Sequence, residues 1–331
     1  MRLLKKLLVF IAILIVVYLL GPNPKTPVYN TELPTIPLSA DSIVAYIASI
    51  ESKHNIKPDN EARIVWANDS IHTKTPYSIV YLHGFSASQE EGDPVHRNLA
   101  KQFGANLYLA RLSGHGIDTS DALLHMTATS LWETAKEAYA IGKQLGDKVI
   151  LMGTSTGGTL ALQLAAAYPD IAGLVLLSPN IAINDPNAWL TNNPWGLQIA
   201  RLVKGGKMNI VPNKTAEYKK YWNHEYRLEA VTELQELLET SMTKNNFKKI
   251  QQPLLTLYYY KNENEQDPVV KVSEMKKMFE QVSTPVGLKR MIAIPNAGNH
   301  VLGSPIQSKD IITVEKEAAA FLREVMKVNG E

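Results

Sequence analysis

Four apolar residues, Val149-Ile150-Leu151-Met152, run straight into Gly153-Thr154-Ser155-Thr156-Gly157, and a helical pattern starts at Thr156. This strand-turn-helix junction restricts the fold more than any other feature of the chain. A strand with no polar side is buried on both faces, as central strands of a parallel sheet are. The same rhythm recurs along the chain. Strand-like runs lie at residues 63–67, 78–82, 106–110, 148–152, 173–177, 254–260 and 289–294. Helical patterns fall between or after them, at residues 95–103, 131–145, 156–168, 272–282 and 310–328. The alternation predicts an α/β fold: a doubly wound, mostly parallel sheet. Residues 179–250 break it. They hold no convincing strand, but they carry Trp189, Trp195 and Trp222, and Leu228, Val231, Leu234, Leu238 and Met242 recur at helical spacing. This stretch reads as a helical cap inserted over the sheet, between core segments 39–178 and 251–331.

The first residues form a separate unit. Arg2, Lys5 and Lys6 precede an apolar run from Leu7 to Leu20, followed by Gly21 and Pro22. Such a segment, residues 1–21, reads as a membrane anchor or signal, with Leu3 and Leu4 extending the run if the lysines snorkel. No small-residue pair of the A-x-A type precedes residues 21–25, which argues against ordinary signal cleavage. Positive charge before the run places residue 1 on the cytoplasmic side and the remainder outside. The expectation is a membrane-anchored protein with an extracytoplasmic catalytic domain, or a secreted one if the segment is cleaved. Residues 22–38 hold Pro22, Pro24, Pro27, Pro34 and Pro37, a density that forbids helix and favours an extended linker. Behind it, Ser39 and Asp41 precede Ile43, Ile47 and Ile50, which predicts one lead-in helix.

Composition excludes several classes. Lys+Arg 34 against Asp+Glu 32 leaves a net charge of +2, too weak a field to argue for a nucleic-acid partner. Hydrophobic residues at 45% with 20% charged exclude disorder for the bulk. With no cysteine there is no disulfide, thiolate metal site or thiol nucleophile.

G-x-S-x-G at a strand-to-helix turn places a serine in a strained, exposed position, and a Cβ at 153 or 157 would collide with neighbouring backbone. A phosphate-binding turn at the helix N-terminus is the plainer alternative. It lacks both the G-x-G-x-x-G spacing and a following G-K-[ST]. A nucleophilic serine needs a base, and the base needs a carboxylate to orient it. Asp267 follows one late strand, in Gln266-Asp267-Pro268, and His300 follows the next, in Ala297-Gly298-Asn299-His300. Glu263 and Glu265 share the Asp267 loop, but Pro268 fixes where Asp267 points. An oxyanion needs two backbone N–H groups: Thr156 supplies the first and Phe85, in His83-Gly84-Phe85, the second. His83 reads as a buried residue holding that loop, since His300 fills the role of base. His54, His72, His96, His125 and His224 read as surface or packing residues.

These residues resemble the α/β-hydrolase superfamily, and within it the carboxylesterase and monoacylglycerol-lipase-like serine hydrolases. The resemblance covers roughly residues 78–327. It rests on His83-Gly84-Phe85, Arg111-Leu112-Ser113-Gly114-His115-Gly116, the Ser155 elbow with Gly157-Gly158, Asp267-Pro268-Val269-Val270 and Gly298-Asn299-His300. Ser113 stands where the family's R-x-P-G-H-G loop has proline, and Thr156 where it often has methionine. The resemblance implies a cofactor-free, metal-free ester hydrolase whose cap sits where residues 179–250 lie. The substrate expected is a small acyl ester of short or medium chain, or a monoglyceride. A serine peptidase or an acyltransferase on the same fold stays open, and a non-catalytic binding module is disfavoured by three catalytic elements in order.

Overall fold

The structure, a computed structural model, describes residues 2–330. Its centre is a seven-stranded sheet of β1 (Arg63–Val65), β2 (Thr75–Leu82), β3 (Asn106–Leu109), β4 (Gly146–Thr154), β5 (Gly173–Leu177), β6 (Leu254–Tyr258) and β7 (Lys289–Ala293). The spatial order is β1-β3-β2-β4-β5-β6-β7; β1 pairs antiparallel with β3 and every other pairing is parallel. This is the mostly parallel α/β sheet expected.

Side-chain alternation shows why the strands are apolar throughout. Val80, Leu82, Leu151, Leu174 and Leu176 enter one core, and Ile79, Tyr81, Ile150, Met152, Val175 and Leu177 enter the other. Each face therefore has its own helical cover. The first core holds residues of α2 (Ala40–Glu51), α4 (Ala128–Leu145) and α5 (Thr156–Ala167), and the second holds residues of α3 (Val95–Gln102) and α11 (Ile311–Glu324). A fully buried leucine such as Leu151 contributes roughly 1.5–3 kcal/mol by leaving water. The helices begin where their caps dictate: the Ser39 side chain accepts from the Ser42 N–H, and Thr127 and Ser130 form a reciprocal capping box at α4.

Between β5 and β6 lie α6 (Gly196–Lys204), α7 (Ala216–Tyr221), α8 (Leu228–Ser241) and α9 (Lys244–Phe247). Here the sequence reading missed a feature. Met208–Ile210 pairs antiparallel with Glu225–Arg227, a ribbon of three-residue strands too short and too polar to register as a pattern. After β6, α10 (Val272–Gln281) returns the chain to β7.

Two expectations for the N-terminal region change. Helix α1 (Arg2–Leu19) forms, but among the described residues no helix is long and apolar enough to cross a membrane. Arg2, Lys5 and Lys6 occupy its first turns, and the apolar remainder reaches only roughly 20 Å against about 30 Å of hydrocarbon. The transmembrane expectation is thereby corrected. The proline-rich segment is extended, but it lies along the core as a strap. Trp132 Nε1 donates to Asn30 O at 2.7 Å, Tyr168 Oη to Thr31 O at 2.9 Å, and Lys136 Nζ to Glu32 O at 3.0 Å. Tyr29 Oη and Thr240 Oγ1 are 2.6 Å apart.

Candidate active site

Ser155 joins β4 to α5 at φ 53°, ψ −117°. A positive φ at a residue with a Cβ costs about 1–3 kcal/mol and persists only where neighbours enforce it. They do so here: the Ser155 N–H donates to Leu177 O at 2.9 Å, and its carbonyl accepts from Asn180 N at 3.0 Å. The flanking glycines are required by contact. A Cβ on Gly153 would lie 2.5 Å from the carbonyl carbon and oxygen of Gly157, and one on Gly157 would overlap the Leu82 carbonyl. As the first residue of α5, Thr156 keeps an N–H that the helix ladder leaves free.

At the ends of the late strands, Asp267 and His300 meet. His300 Nδ1 is 2.7 Å from Asp267 Oδ2, while Asp267 Oδ1 accepts from the Val269 and Val270 amides at 2.9 and 3.0 Å. Asp267 is 1% exposed. Burial pushes its pKa up, but the His300 charge and hydrogen bond and the two amides outweigh burial and hold it below the ordinary value. The balance at His300 is reciprocal: burial lowers its pKa, and Asp267 and then Glu91 raise it above the ordinary value of 6.5. His300 Nε2 is buried without a hydrogen-bond partner among the described residues. It makes no hydrogen bond to Ser155 Oγ in this conformation, a looseness common before substrate tightens a site. Glu263 and Glu265 are engaged elsewhere, with Tyr260 and Lys261.

Ahead of β4, two neutral histidines hold the loop that carries Phe85. His83 Nδ1 is 2.9 Å from Gly84 O, and its Nε2 accepts from the Leu112 N–H at 3.1 Å, so the network assigns the proton to Nδ1. That bond fixes the peptide whose N–H belongs to Phe85. His115 Nε2 accepts from the Ser86 N–H at 3.0 Å, and its Nδ1 is 2.9 Å from Ser113 O. Burial keeps both rings neutral, lowering His83 well below the usual histidine range and His115 to about 4. The second glycine loop is thus a brace for the first.

Ser155, His300 and Phe85 line one cavity of about 330 Å³, and the cap supplies Tyr218, Trp222 and Tyr226 to its wall. Of the three cap tryptophans only Trp222 lines it; Trp189 and Trp195 are 54% and 37% exposed. Val231 and Leu234 of α8 also line the cavity. Glu91 lines it too, and sequence reasoning missed it, since no local pattern marks it; it is 2% exposed. Among the described residues no group of three or more His, Asp or Glu side chains could hold a metal ion.

Comparison with known proteins agrees with this geometry. Residues 79–309 match the model of the alpha/beta hydrolase family. The chain belongs to that family. The alpha/beta hydrolase region covers the elbow, the Asp267 loop and the His300 loop in one match. Over 112 residues the chain is 34% identical to a thermostable monoacylglycerol lipase from Bacillus sp. (strain H-257), covering 34% of this chain and 43% of that relative. It thus spans less than half the length of the curated relative. Two solved structures share the alpha/beta hydrolase fold at low identity. One is from work on two metagenome-derived lipolytic enzymes, with TM-score 0.62, 18% identity, and coverage of 81% of this chain and 99% of that one. The other is a Paleococcus ferrophilus monoacylglycerol lipase, with TM-score 0.58, 15% identity, and coverage of 81% and 98%.

Proposed function

We propose that this protein is a serine hydrolase that cleaves carboxylic esters of short or medium acyl chain, or monoglycerides, through an acyl-enzyme. The observation that carries the reading is the 2.7 Å contact of His300 Nδ1 with Asp267 Oδ2, where His300 lines one cavity with a serine held at φ 53°. In this mechanism Ser155 Oγ attacks the acyl carbonyl as His300 Nε2 takes its proton. Asp267 holds the imidazole in the Nδ1–H tautomer and faces the imidazolium that forms. The Thr156 and Phe85 N–H groups donate to the oxyanion. His300 then returns the proton to the departing alkoxide, and a water repeats the sequence to release the acid.

The cavity volume lies at the small end of the range for ligand sites, which favours short acyl groups over long ones. The relative from Bacillus, a monoacylglycerol lipase, supports an ester over an amide. As to place, the basic start and apolar body of α1 have the length of an export signal's core, so the catalytic body belongs outside the cytoplasm.

A panel of nitrophenyl esters, monoglycerides, anilides and thioesters tests the reading, with fluorophosphonate labelling of Ser155. Expected are ester turnover and a label that Ser155→Ala abolishes. An enzyme that labels but cleaves only amides would refute the ester assignment.

A further inference from the structure

The 3-10 turn Gln89–Gly92 brings a third carboxyl group to the site. Glu91 Oε2 accepts a hydrogen bond from the Gly84 N–H, the amide immediately before the one that carries Phe85. A methyl group built on Gly84 would lie 2.8 and 2.9 Å from the two Glu91 oxygens and 3.0 Å from Ser155 Cβ. Carboxyl group, nucleophile and oxyanion loop therefore converge on one point. Gly84 has no room for a side chain because Glu91 and Ser155 occupy that room.

The two peptides around Gly84 are locked from opposite ends. His83 holds the Gly84 carbonyl and Glu91 holds the Gly84 N–H. Loop position is thus fixed by two buried side chains, one neutral and one titratable.

The charges around Glu91 are few. From the other elements that face it come Tyr81 of β2, Tyr218 of α7 and His300 of the loop after β7. Both phenols are held above their ordinary range, by burial and then by Glu91 itself, so neither is charged near neutral pH. On its own turn, Asp93 pairs with Arg97, and Glu90 lies half-buried beside that pair. The opposite charge that acts on Glu91 is protonated His300, and Glu91 in turn favours protonation of His300. Burial raises the Glu91 carboxyl to about 7, where it gains and loses its proton in the pH range of the histidine itself.

We propose that Glu91 is a positioning residue of the hydrolytic site: its carboxyl group fixes the Gly84 amide, and so the aim of the Phe85 N–H, and its charge faces His300 across the cavity. The inference rests on the Ser155–His300–Asp267 reading. When Ser155 attacks, the imidazolium that forms has Asp267 at Nδ1 and, above the pH of about 7 at which Glu91 ionises, a second carboxylate lining the same cavity.

Two substitutions separate the two effects. In Glu91→Gln the amide carbonyl still accepts the Gly84 N–H while the charge is gone. The acid midpoint of the kcat/KM profile should then fall by about half a pH unit or more, because a carboxylate that favours imidazolium has been removed. The plateau kcat should stay within about tenfold. In Glu91→Ala the Gly84 amide is released as well, and kcat should fall by a further factor of about 10² with KM little changed, the signature of a lost transition-state contact. Both variants are assayed with a short-chain nitrophenyl ester and checked by circular dichroism. The near-isosteric Gln variant carries the charge test even if the Ala variant fails to fold. An unmoved midpoint in Glu91→Gln, with the parent's Ser155 reacting with fluorophosphonate, overturns the Glu91 inference alone. A folded Glu91→Ala with the kcat of Glu91→Gln overturns its positioning half. A parent in which Ser155 does not react overturns the hydrolase reading itself.

Discussion

Replacing Asp267 by asparagine is the most informative single change, because the surrounding donors dictate which way the new amide must face. Oδ1 of Asp267 accepts two backbone amides, Val269 at 2.9 Å and Val270 at 3.0 Å. Asparagine can satisfy both only with its carbonyl in that place, since its NH₂ there would meet two donors. The NH₂ group is then forced into the position of Oδ2, 2.7 Å from His300 Nδ1. An N–H pointing at Nδ1 requires Nδ1 to accept, so the imidazole proton moves to Nε2, and Nε2 can no longer take a proton from Ser155. The expected loss is about 10⁴-fold in turnover, or about 5.5 kcal/mol of transition-state stabilisation. Hydrogen-bond count is preserved, so the variant should fold. The assay is hydrolysis of a short-chain nitrophenyl ester, with circular dichroism as the control for folding. Glu263→Gln and Glu265→Gln serve as comparisons and should cost little, since both residues are exposed. Turnover of Asp267→Asn within tenfold of the parent, together with collapse of a Glu variant, would refute the assignment of the acid.

Ser155→Ala should leave a folded protein with ester hydrolysis down by at least about 10³-fold, measured against the same ester; unchanged turnover means another nucleophile. The kcat/KM profile should rise with pH through a midpoint above 6.5, because His300 works as a base only when neutral and its environment raises its pKa. The activity is therefore lost as pH falls through that raised value, and a flat profile from pH 5 to 8 would contradict a histidine base. Gly157→Ala drives a methyl group onto the Leu82 carbonyl and should lower stability by about 3 kcal/mol in urea unfolding, while the same change at Gly287, which has open space and no left-handed backbone, should cost far less. A Gly157→Ala protein as stable as its parent contradicts the packing at the elbow.

What the sequence disclosed, and what it hid, follows from how strongly physics restricts each position. The strand 148–152 is legible because both its faces are buried, so every residue after Lys148 is apolar. Gly153 and Gly157 are legible because no Cβ fits beside the backbone of the turn. Glu91 carried no such mark. Its burial depends on the Gly84 amide and on Trp222, which is 131 positions away in the chain, and no local pattern records that. The ribbon at Met208–Ile210 is too short for alternation to show. Proline density in residues 22–38 goes with the absence of helix there, but docking is decided by distant partners, Trp132, Lys136 and Tyr168. The N-terminal run, residues 7–20, falls short of a span by itself and approaches one only if Lys5 and Lys6 snorkel, which the helix does not bear out.

The strap along residues 28–32 also sets an order of events as the chain folds. Its partners are Thr129, Trp132, Lys136, Tyr168 and Thr240, up to 211 positions downstream. The segment made among the first is therefore seated among the last, because no surface exists for it until α4 and α8 have packed on the sheet. Closing loops of that length is the slow part of folding. Until they close, the ammonium of Lys136 and the indole N–H of Trp132 lack the carbonyls they hold in the finished protein.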